Sequence, residues 1–181
     1  ATALRRKGKG GWFSKPKPVT GLYLWGGVGR GKSMLMDLFF DAAPIASKRR
    51  VHFHEFMGGV HDMLAEWRKM GGRERKRSAW HVRGAGDDPI APAAKRIASG
   101  ASLLCFDEFQ VTQIADAMIL SRLFDALFDA GVTVVATSNR HPDDLYADGI
   151  NRPLFLPFVE ILKANTDVFE LKSDRDYRLD R

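Results

Sequence analysis

The chain has 181 residues, 45% apolar and 28% charged, which suits one soluble globular domain with a single core. No stretch approaches the roughly 20 apolar residues that span a bilayer, the first residues lack the apolar segment of a secretory signal, and the single cysteine, Cys105, excludes a disulfide framework and points to a reducing, cytoplasmic setting. The net charge of +6 is local: residues 1–18 carry Arg5, Arg6, Lys7, Lys9, Lys15 and Lys17 with no acid, and the rest of the chain holds 22 basic against 22 acidic side chains.

Residues 1–18, rich in Gly, Lys and Pro and without a period, read as a flexible basic arm, and the break at "KPKPV" opens an ordered domain over 19–181. Leu22–Trp25 is a predicted strand and Lys32–Asp41 a helix. Arg49–His54 is a second strand, followed by a helix to about Met70. Gly71–Asp88 is a polar loop. It belongs to a second basic cluster, Arg68 to Arg83, with seven cations against Glu74. Arm and cluster alike read either as solvated surface or as a contact for nucleic acid, an acidic lipid surface or an acidic protein tail.

Pro89–Ser99 is a short helix, and "ASLLCFDEF" an apolar strand that runs into two acids. Ala117, Leu120, Phe124, Leu127 and Phe128 keep helical spacing over 114–130. "VTVVATSN" is a fourth strand, rich in β-branched residues, Pro153–Asn165 is helical, and Asp167–Leu171 is a fifth strand. This alternation predicts a parallel five-stranded sheet flanked by helices on both faces.

Three strand ends carry the chemistry. Gly26-Gly27-Val28-Gly29-Arg30-Gly31-Lys32-Ser33, followed by Met34, fits the pattern G-x-x-x-x-G-K-[ST] between a strand and a helix. The glycines let backbone N–H groups converge on phosphate oxygens, and the helix that follows turns its positive end to the same point. Lys32 reaches the β- and γ-phosphates of a nucleotide, and the Ser33 hydroxyl ligates Mg²⁺. Asp107, ending the third strand, supplies a second Mg²⁺-side group. Glu108 beside it can polarise an attacking water, which separates a hydrolase from a P-loop kinase. Asn139, at the tip of the fourth strand, either orients that water or contacts the γ-phosphate, or is a turn former.

Arg152 and then Arg140 are candidates for neutralising charge in the transition state, against plain roles as surface cations. His52 and His54, read as one strand, face one side with Glu55 nearby. They fit packing and hydrogen bonding better than a metal, and His54 or Glu55 is a candidate for restraining Glu108. His61 completes the histidine cluster. Cys105, mid-strand, is a core residue.

The segments "GVGRGKSMLMDLFF", "RRVHFHEFM", "LLCFDEFQVT", "VVATSNR" and "FLPF" together resemble the ZapE family, AFG-like P-loop ATPases of the AAA+ class with relatives in mitochondria; the resemblance spans about residues 19–178. It implies a P-loop NTPase fold of AAA+ type with ATP and Mg²⁺ as cofactors. It further implies a cytoplasmic ATPase linked to cell division and FtsZ, or an organellar counterpart in protein quality control, working as a homo-oligomer when full length. A helicase-loader-like module acting on nucleic acid is the competing expectation. The family pattern differs at Gln113, where an aspartate is expected beside the Asp107 site, and its helical lid is expected to lie beyond Arg181, so the chain reads as a fragment or a trimmed piece.

Overall fold

The computed structural model describes residues 19–172; the predicted basic arm lies outside them. Five strands form one sheet in the order β2-β3-β4-β1-β5, every neighbouring pair parallel. They are β1 (Gly21–Trp25), β2 (Lys48–His52), β3 (Leu103–Asp107), β4 (Thr133–Ser138) and β5 (Thr166–Glu170). The helices are α1 (Lys32–Ala42), α2 (Phe53–Lys69), α3 (Gly72–Arg77), α4 (Ile90–Gly100), α5 (Ile114–Asp129) and α6 (Arg152–Asn165). No helix among the described residues is long and apolar enough to cross a membrane.

Strands buried on both faces read as near-continuous apolar runs rather than alternating ones. β3 (LLCFD) and β4 (TVVATS) are accordingly buried throughout. On one face Leu103, Cys105 and Val135 meet Met36 and Ala43, with Phe39 and Phe40 of α1 against them. On the other, Leu104, Phe106, Val134 and Ala136 meet the apolar stripes of α2, α4, α5 and α6. At the centre of that larger core Phe109 packs on Phe53 (ring centroids 3.9 Å apart) and stacks on Phe158 (6.0 Å). Phe106 and Phe124 meet its edge.

Two expectations change. β2 ends at His52, and Phe53 already begins α2, because Phe53, Phe56, Met57, Val60, Leu64 and Trp67 form a helical stripe that buries in the larger core. His54 therefore lies on the first turn of a helix and does not share a strand face with His52; it is exposed. Gly71–Asp88 contains α3, whose start is held by the Glu74 carboxylate accepting from the Gly71 N–H at 2.7 Å. Arg75 fixes α3 to α2 by donating to the Trp67 carbonyl at 3.0 Å, and it also pairs with Asp87 in the loop before α4.

Gly21 shows how tightly β1 is inserted. A Cβ on Gly21 would stand 1.9 Å from the Val134 carbonyl oxygen, a backbone atom of the neighbouring strand. Gly21→Ala should therefore destabilise the fold by roughly 3 kcal/mol and lower the melting temperature by roughly 10 °C. A melting temperature within about 2 °C of wild type in a thermal scan would contradict this insertion.

Candidate active site

The carboxyl ends of β1, β3 and β4 meet at one edge of the sheet. This is where an open α/β sheet binds its ligand. Trp25 hands over to the loop Gly26–Gly31, which turns into α1 through Gly29 and Gly31, both at φ 77. That left-handed backbone is the region glycine adopts without strain. The Lys32 ammonium folds back over the loop and donates to the Gly26 and Gly27 carbonyls, 2.7 Å each. Burial, then the neighbouring Arg30 cation, lowers the Lys32 pKa from its ordinary value, and Glu108 works in the opposite sense. Two cations at a helix N-terminus favour an anion between them.

The loop forms one wall of a cavity of about 510 Å³, lined by Val28, Gly29, Arg30, Gly31, Lys32, Ser33 and Met34. The opposite wall is Glu108, Thr137, Ser138 and Asn139. Glu108 reaches it through an unusual backbone: its φ is 53, the left-handed region, which costs a non-glycine residue about 1 kcal/mol or more. The neighbours enforce this. Asp107 still belongs to β3, while Phe109 is anchored in the aromatic core and donates its N–H to the Thr137 carbonyl at 2.7 Å. The Glu108 N–H donates to Thr137 Oγ1 at 3.3 Å. Among the described residues the Glu108 carboxylate has no hydrogen bond or ion pair and is exposed, which leaves it free to accept a proton from water.

Ser138 steadies the tip of β4. Its hydroxyl donates to the Phe109 carbonyl at 2.8 Å and accepts from the Arg140 N–H at 3.1 Å. The Tyr23 phenol, its pKa pushed up by burial, donates to the Arg140 carbonyl at 3.0 Å. Asn139 and Arg140 are thereby held exposed, and both line a second pocket of about 330 Å³ that opens beside Glu108.

Asp107 is buried and its carboxylate is already engaged. Arg50, on β2, forks onto it: Nε donates to Oδ2 at 2.6 Å and Nη2 to Oδ1 at 3.2 Å. The same guanidinium pairs with Asp37 on α1. This pairing, above all the hydrogen bond to Asp107, holds the Arg50 pKa above its ordinary value. The sequence reading missed Arg50, which sits in a run of cations, Lys48-Arg49-Arg50. One signal was present: strand alternation puts Arg50 and His52 on one face, and Arg49 and Val51 on the other.

The remaining candidates fall in different places. Arg152 opens α6, donates from Nη2 to the Asp143 carbonyl, and buries an Nε that has no partner among the described residues. It does not line the cavity. His52 stands opposite Asp107 in the β2–β3 register, its ring 5.9 Å from that of His54. His61 is apart from both, with Nε2 2.7 Å from Asp116 Oδ1. No cluster of three His, Cys, Asp or Glu side chains among the described residues could hold a metal. Gln113 stands at the N-cap of α5 and its side chain caps nothing. Cys105 is buried, which pushes its thiol pKa up to about 12.

The residues present fit a nucleotide with its divalent ion. The loop offers backbone N–H groups and the Lys32 ammonium to phosphates, and Ser33 and Asp107 are oxygen donors of the kind Mg²⁺ takes.

Comparison with known proteins agrees with this geometry. The family model described as AFG1-like ATPase matches residues 1–181. The chain is 44% identical over 166 residues to the cell division protein ZapE of Escherichia coli (strain K12), covering 92% of this chain and 40% of that protein. It is 46% identical over 167 residues to lactation elevated protein 1 homolog B of Danio rerio, covering 91% of this chain and 32% of that protein. The chain thus spans about a third to two fifths of the length of these relatives. Among solved structures, DnaI superimposes with a TM-score of 0.56 at 14% identity, over 92% of this chain and 77% of that one. AMPPCP-bound DnaA from Aquifex aeolicus gives 0.52 at 16% identity, over 88% of this chain and 42% of that one. These likenesses show the fold, a P-loop NTPase of AAA+ type.

Proposed function

The chain belongs to the AFG1-like ATPase family, and on that footing we propose that its cavity binds ATP with Mg²⁺ and hydrolyses the γ-phosphate. The observation that carries this reading is the pairing of two walls. One is a glycine loop with a cation held by its own carbonyls; the other is a carboxylate without a partner, turned out on left-handed backbone. Loop N–H groups and Lys32 bind and orient the phosphates. Ser33 and Asp107 hold the divalent ion, which neutralises phosphate charge when bound. Glu108 takes the proton of the attacking water, and Asn139 orients that water. Release of phosphate from ATP, dependent on Mg²⁺ and absent in the Lys32→Ala and Glu108→Gln variants, tests the assignment.

Hydrolysis by the whole protein is completed between subunits of a homo-oligomer. Arg152 is the residue offered to the neighbour's nucleotide, with Arg140 second. Arg152 supports this by lying outside its own subunit's cavity, on a helix start fixed to the Asp143 carbonyl. Arg152→Ala and Lys32→Ala subunits should each be inactive alone. Mixed in the full-length oligomer they should recover activity, because about a quarter of randomly formed head-to-tail interfaces then join an intact loop to an intact arginine. A mixture that stays inactive, or Arg152→Ala subunits that are fully active alone, would remove Arg152 from this role.

The ATP cycle acts on a protein partner in the cytoplasm. The relationship to a cell division protein supports a division partner such as FtsZ; a quality-control role in an organelle is the alternative. One observation favours a second reading. Arg68, Lys69, Arg73, Lys76, Arg77 and Arg83 are exposed around the end of α2 and α3, with no ion pair among the described residues. A helicase-loader-like ATPase would use such a surface on phosphates, and turnover raised by DNA with a steep salt dependence would select that reading.

A further inference from the structure

Arg50 is the one strong ion-pairing group at the site that the hydrolytic reading leaves without a task. It stands on β2 opposite Cys105 and reaches along the sheet to the end of β3. Both oxygens of Asp107 are engaged by its fork. That bidentate geometry fixes a carboxylate in orientation as well as charge. Its remaining nitrogen, Nη1, pairs with Asp37. Asp37 lies on α1 one turn beyond Ser33, so it shares a helix face with that hydroxyl. One guanidinium therefore ties the helix that bears Ser33 to the strand that bears Asp107. The Arg50 side chain is 24% exposed and that of Asp107 10%. The contact is sheltered from the solvent that weakens a surface ion pair.

We propose that Arg50 is a positioning residue that occupies the Asp107 carboxylate in place of a divalent ion until nucleotide binds, so that the metal enters with the nucleotide and not ahead of it. This rests on the nucleotide reading of the cavity. Asp37 and Asp107 converge on Arg50, and Ser33 shares the α1 face of Asp37; two carboxylates and a hydroxyl are hard oxygen donors of the kind that attract Mg²⁺. With Arg50 among them the trio carries one net negative charge, and both Asp107 oxygens accept hydrogen bonds. A metal arriving alone must break that fork against the repulsion of the guanidinium. Phosphates in the loop add the negative charge that reverses the balance. The fork also holds Asp107 and α1 at a fixed separation beforehand.

The test is a Mn²⁺ titration followed by electron paramagnetic resonance, with and without ATP, on the whole chain. Wild type should bind Mn²⁺ tightly only with ATP. Arg50→Met should bind Mn²⁺ without nucleotide at least about tenfold more tightly than wild type. Arg50→Lys, which keeps the charge and loses the fork, should fall between them, and adding Asp107→Asn to Arg50→Met should abolish the gain. A folded Arg50→Met protein with wild-type Mn²⁺ affinity in the absence of ATP, or a gain that survives Asp107→Asn, overturns the proposal. Wild type that fails to bind Mn²⁺ with ATP instead overturns the nucleotide reading. A measurement on wild type alone stands whether or not the variants fold: the Arg50 Nε–H resonance should be unmoved by Mg²⁺ alone and should shift on Mg²⁺ with a non-hydrolysable ATP analogue. An equal shift with Mg²⁺ alone also overturns the proposal.

Discussion

Replacing Lys32 with alanine is expected to weaken ATP binding by about a hundredfold, the loss of roughly 3 kcal/mol from charge-assisted hydrogen bonds. The ammonium is held at the loop by two carbonyl oxygens at 2.7 Å, and burial and Arg30 both work against its proton. A group in that situation gains more from an incoming anion than a solvated surface lysine does. Arg30, which also lines the cavity, is the nearest substitute cation. Its Nη1 lies 3.5 Å from the Leu171 carbonyl, a long contact. Calorimetric titration of folded Lys32→Ala protein with ATP and Mg²⁺ checks the expectation. An affinity within about threefold of wild type would move the phosphate site away from this loop.

Glu108→Gln should leave ATP affinity within a few-fold of wild type and lower kcat by about 10²–10⁴, the usual contribution of a general base. The exchange is close to a single-atom change. Glutamine keeps the N–H bonded to Thr137 Oγ1 and fits the same left-handed backbone as well as glutamate does. It has no carboxylate to take a proton from water. Because the fold is untouched, binding and turnover should separate cleanly. Phosphate release measured beside nucleotide binding reads both. Turnover above a tenth of wild type would place the base elsewhere.

The glycine loop between β1 and α1 was legible in the sequence because its backbone restricts residue type: left-handed turns at Gly29 and Gly31 call for glycine, and the phosphate proposed there calls for a cation on a short reach. The sheet was legible because the apolar runs Leu103–Phe106 of β3 and Val134–Ala136 of β4 are continuous rather than alternating, as burial on both faces requires. His54 was misread since "VHFHEF" satisfies a strand period over four residues and a helix period over the next fifteen. The Phe53 side chain decides between them by burying in the larger core. Arg50 was missed for another reason. Its partners are 13 residues back and 57 residues ahead in the chain: the β2–β3 register brings up Asp107, and the packing of α1 on the sheet brings up Asp37.

The position of β1 has a consequence for the order in which the molecule is made. Leu22 pairs with Val135 on one side and Asp167 on the other, so β1 is synthesised first of the five strands and finds its first neighbour only when β4 is made. At the ribosome's pace of about 5–20 residues per second, on the order of ten seconds pass before β4 emerges to receive it. For that interval Leu22, Tyr23, Leu24 and Trp25 lack the neighbours that bury them, while β2 can wait for the nearer β3. Long-range parallel pairing of this kind is slow to form and exposes apolar chain meanwhile. The nascent β1 is therefore apolar chain left uncovered until β4 arrives, the kind of segment a chaperone holds.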